Sequence, residues 1–204
     1  MKLTVRKWPL VVAAAVVALV LVAFGLDASS RFEGEPQVAE FGQAPPAATG
    51  WVRVDRTLDL STLSALPPVP SAAGADPRDV PDGLDGPVLV NLWASWCGPC
   101  EEELPWLGRL ARGSRGTGGE VAVVGVSRDS FVEYATEDLE QARADYANVL
   151  DDDATFSDSL SDVLPSAVPL SFLVQDGTMT WVHVGPFDSY GDLARSVAAR
   201  TSSG

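Results

Sequence analysis

The sequence predicts an α/β protein with a central mixed β-sheet and helices on both of its faces. Three observations lead there. Val88 to Trp93, VLVNLW, is rich in β-branched and aromatic residues, and after Ala94-Ser95-Trp96 a helix opens at Cys97-Gly98-Pro99-Cys100. Glu120 to Ser127, EVAVVGVS, is an apolar run of the kind buried in parallel pairs. Val168 to Val174 and Thr178 to Val184 flank Asp176-Gly177, a strong hairpin signal. A strand–helix–strand unit makes parallel neighbours and a hairpin makes antiparallel ones, so the sheet is mixed.

Taken in order, the chain begins with Lys2, Arg6 and Lys7 ahead of an uncharged run, Leu10 to Leu26. At helical rise that run spans about 25 Å, enough for a short or tilted membrane helix. Positive charge before it and acidic excess after it place the N-terminus in the cytoplasm and the bulk of the chain outside. The expected organisation is a signal anchor over 1–27, a flexible linker over 28–50 and a folded domain over 51–204. The competing outcome is cleavage at Ala23-Phe24-Gly25 or Ala28-Ser29-Ser30, which would leave a secreted protein. No cysteine stands directly after the run, which argues against a lipoprotein anchor.

Trp51 to Leu60 alternates as a strand or the first arm of a hairpin, whereas Pro67 to Pro87 is crowded with proline, glycine and aspartate and reads as a solvated loop. The helix after the cysteines carries Cys100, Leu104, Leu107, Leu110 and Ala111 on one stripe, with Pro105 expected to kink it and Gly113 to Gly119 ending it. A second helix is expected over Phe131 to Tyr146, with Phe131, Tyr134 or Ala135, Leu139, Ala142 and Tyr146 at helical spacing. Val149-Leu150 is a short strand. Asp151-Asp152-Asp153 reads as a solvated turn with Asp153 near the N-cap of a helix from Thr155 to Leu164, in preference to a cation site. After the hairpin, Gly185-Pro186 stops the last strand and Leu193 to Arg200 forms the closing helix.

The chemistry centres on Cys97 and Cys100, the only cysteines in the sequence. Three apart, they share one helical face and can bond to each other without backbone movement. Cys97 sits at the helix N-terminus, where free N–H groups favour a thiolate, so it is the expected nucleophile and Cys100 the resolving thiol. A purely structural disulfide at this spacing closes almost no loop and stabilises little. With one histidine, His183, and two cysteines, the chain is short of ligands for an ordinary tetrahedral zinc site. A net charge of −14 argues against nucleic acid or an anionic membrane surface as partners. His183 reads as a surface residue of its strand.

This stretch resembles the active-site segment of the thioredoxin superfamily. WASWCGPC followed by EEELP is similar to the TlpA-like branch, which includes ResA and the CcmG/DsbE proteins, and the resemblance runs from about Gly86 to Ala199. It implies a thioredoxin-like fold and no cofactor beyond the dithiol. It also implies a cis bond at Pro169, with the Val168 backbone presented to an incoming substrate strand. Leu170 and Ser171 replace threonines common at this point. Asn91 stands where thioredoxins carry a buried aspartate, and the resemblance moves the proton-transfer role to Glu103. Trp96 is expected to form an apolar platform beside the sulfurs for a peptide substrate, and Trp93 to be core. The implied function is a membrane-tethered thiol:disulfide oxidoreductase that reduces a protein such as apocytochrome c, recharged by a membrane electron donor of the CcdA/DsbD type. The alternatives are an oxidant of exported proteins and, in another class, a metal-binding chaperone or adaptor.

Overall fold

The computed structural model describes residues 50–70, 86–114 and 121–202. In chain order these form β1 (Gly50–Thr57), α1 (Ser61–Ser64), β2 (Val88–Trp93), α2 (Gly98–Ser114), β3 (Ala122–Ser127), α3 (Val132–Ala142), β4 (Ala147–Leu150), α4 (Thr155–Asp158), β5 (Leu170–Gln175), β6 (Thr178–Val184) and α5 (Tyr190–Thr201). The six strands make one sheet in the order β1-β6-β5-β2-β3-β4. β2 runs parallel to β3, from Val88 opposite Ala122 to Trp93 opposite Ser127. Its other neighbour, β5, is antiparallel, with Leu92 opposite Leu170. This is the expected mixed sheet of a thioredoxin-like α/β fold.

Every residue of β2 is buried, because the period-2 alternation of the strand feeds two cores. Val88, Val90 and Leu92 join Val124, Val126, Phe156, Leu160 and Phe172 on one face. Leu89 and Trp93 join Cys97, Cys100, Leu104, Leu107, Leu139, Leu193 and Val197 on the other. The dithiol therefore sits on the face covered by α2, α3 and α5. Each such fully buried aliphatic side chain contributes about 1.5–3 kcal/mol relative to exposure. α2 continues through Pro105 to Ser114. The hairpin turn between β5 and β6 has φ of 48° at Asp176 and 73° at Gly177, the two positive values that a turn matching the strand twist requires.

Several expectations need correction. α3 stops at Ala142 because Arg143 adopts a left-handed conformation, so Tyr146 lies beyond the helix, buried just ahead of β4. Ala135 and Leu139 are the buried residues of α3, whereas Phe131 and Tyr134 are exposed and pack edge-to-face on each other. The helix after the aspartates is only Thr155–Asp158. Its first turn is held mainly by buried Asp151, whose carboxylate accepts from the N–H groups of Phe156 and Ser157 and from the Ser157 hydroxyl, while Asp153 accepts from the N–H of Thr155. Asp151 is the more effective cap because its backbone already belongs to the sheet, through Asp151 N–H to Ser127 O at 2.8 Å.

The start of the Pro67–Pro87 stretch is not a free loop. Val69 N–H donates to Asn148 O, Leu150 N–H donates to Pro67 O, and Val69 is buried. The segment covers the edge of β4, where proline is tolerated because its missing N–H faces away from the ladder. His183 is buried rather than on the surface. Its ring stacks on Phe187 at 4.0 Å, meets Trp51 edge-on, and its Nδ1 bonds to Gly185 O at 2.9 Å. Among the described residues no helix is long and apolar enough to cross a membrane, and the expected anchor over 1–27 lies outside them.

Candidate active site

The site forms where β2 gives way to α2. The strand ladder ends at Trp93, whose carbonyl accepts from Arg128 N–H at 2.9 Å. The chain then turns, with Cys97 N–H donating to Ala94 O at 3.1 Å. The carbonyl of Cys97 accepts from Cys100 N–H and Glu101 N–H, which makes Cys97 the residue that caps α2. Cys97 and Cys100 are joined as a disulfide with Cα atoms 5.3 Å apart. Cys97 is 7% exposed and Cys100 1%, so the sulfur-bearing pair is more enclosed than expected, in the expected order. Trp96, Gly98 and Pro99 around Cys97 are exposed, Trp96 to 69%. The space above Gly98 is open, so a partner backbone can approach there.

Glu103 is the unusual group. Glu101 and Glu102 before it are exposed, but Glu103 is 2% exposed. Its Oε1 accepts from Phe187 N–H at 2.6 Å. Burial pushes its carboxyl from the ordinary 4.5 up to about 7, with the Phe187 N–H pulling down and Glu102 pushing up further. It follows Cys100 by one helical turn, on the core face shared by Cys100 and Leu104. Nearby, Tyr146 is fully buried, and burial together with Glu103 raises its pKa.

The loop between β6 and α5 ties this carboxyl to the segment at Pro169 that leads into β5. Phe187 donates to Glu103, and two residues earlier Gly185 N–H donates to Pro169 O at 3.1 Å. The Val168-Pro169 bond is cis, as expected. Because Leu170 pairs with Leu92, Pro169 lies beside the end of β2 from which the cysteine loop departs. Val168 is half-buried and packs against both cores. His183, stacked on Phe187, supports the same loop, and burial lowers its pKa. Asn91 is buried on the dithiol's side of β2 and donates to Ser171 Oγ at 3.1 Å, so that position is uncharged.

Two features were missed by reading the sequence. Asp129, 1% exposed, accepts from Ser95 N–H with both oxygens at 3.1 Å, from Ser95 Oγ at 2.7 Å and from Ser127 Oγ at 2.7 Å. The only signal for it was an acid just past the C-terminal end of the strand beside the motif strand, where α/β sites tend to lie. Burial, and then Glu101, Asp129 and Glu137, push the carboxyl of Asp138 on α3 up to about 6. Acid thus crowds the start of α2. Among the described residues no group of three or more His, Cys, Asp or Glu could hold a metal ion. The assembled parts are a reversible disulfide at a helix start, a carboxyl that exchanges protons near neutral pH, and a cis-proline edge beside them.

A family model described as Redoxin matches residues 77–199. The thiol:disulfide interchange protein DsbE of Xylella fastidiosa is 32% identical over 105 residues, covering 51% of this chain and 50% of that protein. The thiol-disulfide oxidoreductase ResA of Bacillus subtilis is 28% identical over 87 residues, 43% of this chain and 46% of that protein. The chain spans about half the length of these curated relatives. Among solved structures, a secreted thiol-disulfide isomerase from Corynebacterium glutamicum matches with a TM-score of 0.55 at 19% identity, over 79% of this chain and 95% of that one. That likeness speaks for the fold.

Proposed function

Because the chain belongs to the Redoxin family, with DsbE and ResA proteins among its relatives, we propose that it is an extracytoplasmic thiol:disulfide oxidoreductase that reduces protein disulfides. The observation that carries the reading is the Cys97–Cys100 pair at the start of α2 with Glu103 buried one turn behind it. In the reduced protein the Cys97 thiolate attacks one sulfur of a substrate disulfide, forming a mixed disulfide and releasing the other substrate sulfur as a thiolate, which takes a proton. Cys100, giving its proton to Glu103, then attacks Cys97 Sγ. The substrate leaves as a dithiol and the Cys97–Cys100 disulfide remains, so two electrons have passed to the substrate. Trp96 and the Val168 backbone beside cis-Pro169 would hold the incoming chain.

Apocytochrome c is the first substrate candidate, and a membrane donor of the CcdA/DsbD type would return the electrons. In this reading residues 1–27 anchor the protein in the cell membrane with the domain outside. Retention of the full-length protein in membranes after a high-salt wash supports that part, and a mature protein starting after the run would replace it with secretion. The central test is trapping in cells. Cys100→Ser should accumulate mixed disulfides with the natural substrate and Cys97→Ser few. Cys100 alkylating before Cys97 in the reduced protein would reverse the assigned roles, and the absence of any trapped partner would remove the reductase reading.

A further inference from the structure

The parallel pairing of β2 and β3 ends at Trp93 opposite Ser127, and beyond Arg128 N–H to Trp93 O no backbone bond joins the two segments. Ser95 N–H would be left over at that point. The Asp129 carboxylate takes it with both oxygens and takes the Ser95 hydroxyl as well. Asp129 is itself fixed by the Ser127 hydroxyl, which accepts from Asp129 N–H and donates to its Oδ2. Ser127 is anchored in turn by β4 through Asp151 N–H to Ser127 O. All the partners donate, and the group is buried, so it costs desolvation that only this bonding offsets. Between the clamped Ser95 and Cys97 lies only Trp96.

We infer that Asp129 is the positioning residue of the dithiol: through Ser95 it holds the loop so that Cys97 stays within closing reach of Cys100, and its charge weighs against a thiolate there. The proposal rests on the oxidoreductase reading for its biological meaning, but its physics does not. A clamped loop raises the effective concentration of one thiol at the other and so favours the closed disulfide. Loosening the clamp favours the dithiol, and removing a nearby negative charge stabilises the Cys97 thiolate and acts in the same direction.

The test is the equilibrium of the full-length protein with glutathione, which reads how well the pair closes. Asp129→Ala should shift that constant toward the dithiol by at least about tenfold, which corresponds to about 30 mV upward. Ser95→Ala, which keeps the charge and the Ser95 N–H bond, should shift it less in the same direction. Asp129→Asn, which keeps one acceptor oxygen for Ser95 but drops the charge, should fall between wild type and Asp129→Ala. A residue that only stabilised the fold would lower the unfolding midpoint and leave the glutathione constant unchanged. An unchanged constant in folded Asp129→Ala overturns the proposal. If that variant does not fold, an unchanged constant in Ser95→Ala overturns it instead. A wild-type protein that equilibrates with glutathione but traps no protein partner would fail the functional reading and leave this one standing.

Discussion

At the residue scale, Glu103 couples chemistry to stability with a sign that can be worked out. In the unfolded chain the carboxyl titrates at its ordinary 4.5, and in the fold at about 7, chiefly through burial. Below pH 4.5 both states are protonated and the group contributes nothing. Between 4.5 and 7 the folded state holds a proton that the unfolded state has lost, so stability falls as pH rises. Above 7 the penalty is constant, on the order of 3 kcal/mol. Glu103→Gln keeps an acceptor for Phe187 N–H and carries no charge. It should therefore match wild type near pH 4 and become more stable by up to about 3 kcal/mol at pH 8, read by denaturant unfolding at both pH values. On the proposed mechanism, in which Glu103 takes the Cys100 proton, the same variant should slow resolution of the mixed disulfide by about tenfold or more. Equal pH dependence of stability in the two proteins, with equal resolution rates, would return Glu103 to an ordinary helix-start carboxylate.

At the element scale, β3 carries a constraint that its apolar run conceals. Gly125 lies in mid-strand where a Cβ would overlap the side-chain amide of Asn148. That amide accepts from Trp93 Nε1–H at 3.1 Å and donates to Tyr146 O at 3.0 Å. Glycine in a strand interior marks such a close approach. Gly125→Ala should force Asn148 out of place, leave the Trp93 N–H buried without a partner, and destabilise by about 2–4 kcal/mol in urea unfolding. A loss under about 0.5 kcal/mol would mean that Asn148 moves aside freely. β2, β5 and β6 were legible because period-2 apolar runs and the Asp176-Gly177 turn are local signals. The Cys97–Cys100 pair, the Pro169 position and Glu103 were legible because one short stretch and its resemblance carry them. Asp129 bonding Ser95 and Asn148 bonding Trp93 join residues 34 and 55 positions apart, and no local periodicity encodes such pairs. The end of α3 is no more local: Tyr146 continues the helical spacing, yet a left-handed Arg143 stops the helix and Tyr146 is buried beyond it.

At the scale of the whole molecule, charge sets the direction of electron flow that we expect. The chain carries a net −14, and around the start of α2 it concentrates Glu101, Glu102, Asp129 and Asp138. Strong oxidants of this chemistry are strong because their reduced form is stabilised as a thiolate. Here the helix N-terminus that would do so is opposed twice. Pro99 has no N–H to offer, and the acids around it repel the developing negative charge. Burial, and after it the like charges of Glu101, Asp129 and Glu137, push the Asp138 carboxyl up to about 6. The dithiol should therefore oxidise readily and reduce its partner, with a potential below roughly −200 mV, nearer the thioredoxin end of the scale than the oxidant end at about −120 mV. On the proposed placement outside the membrane, where the default chemistry makes disulfides, such a potential would call for electrons from a membrane donor. Equilibration of the full-length protein against a redox partner of known potential measures it directly. A value at the oxidant end, together with insertion of disulfides into a reduced unfolded protein, would assign the dithiol to disulfide formation.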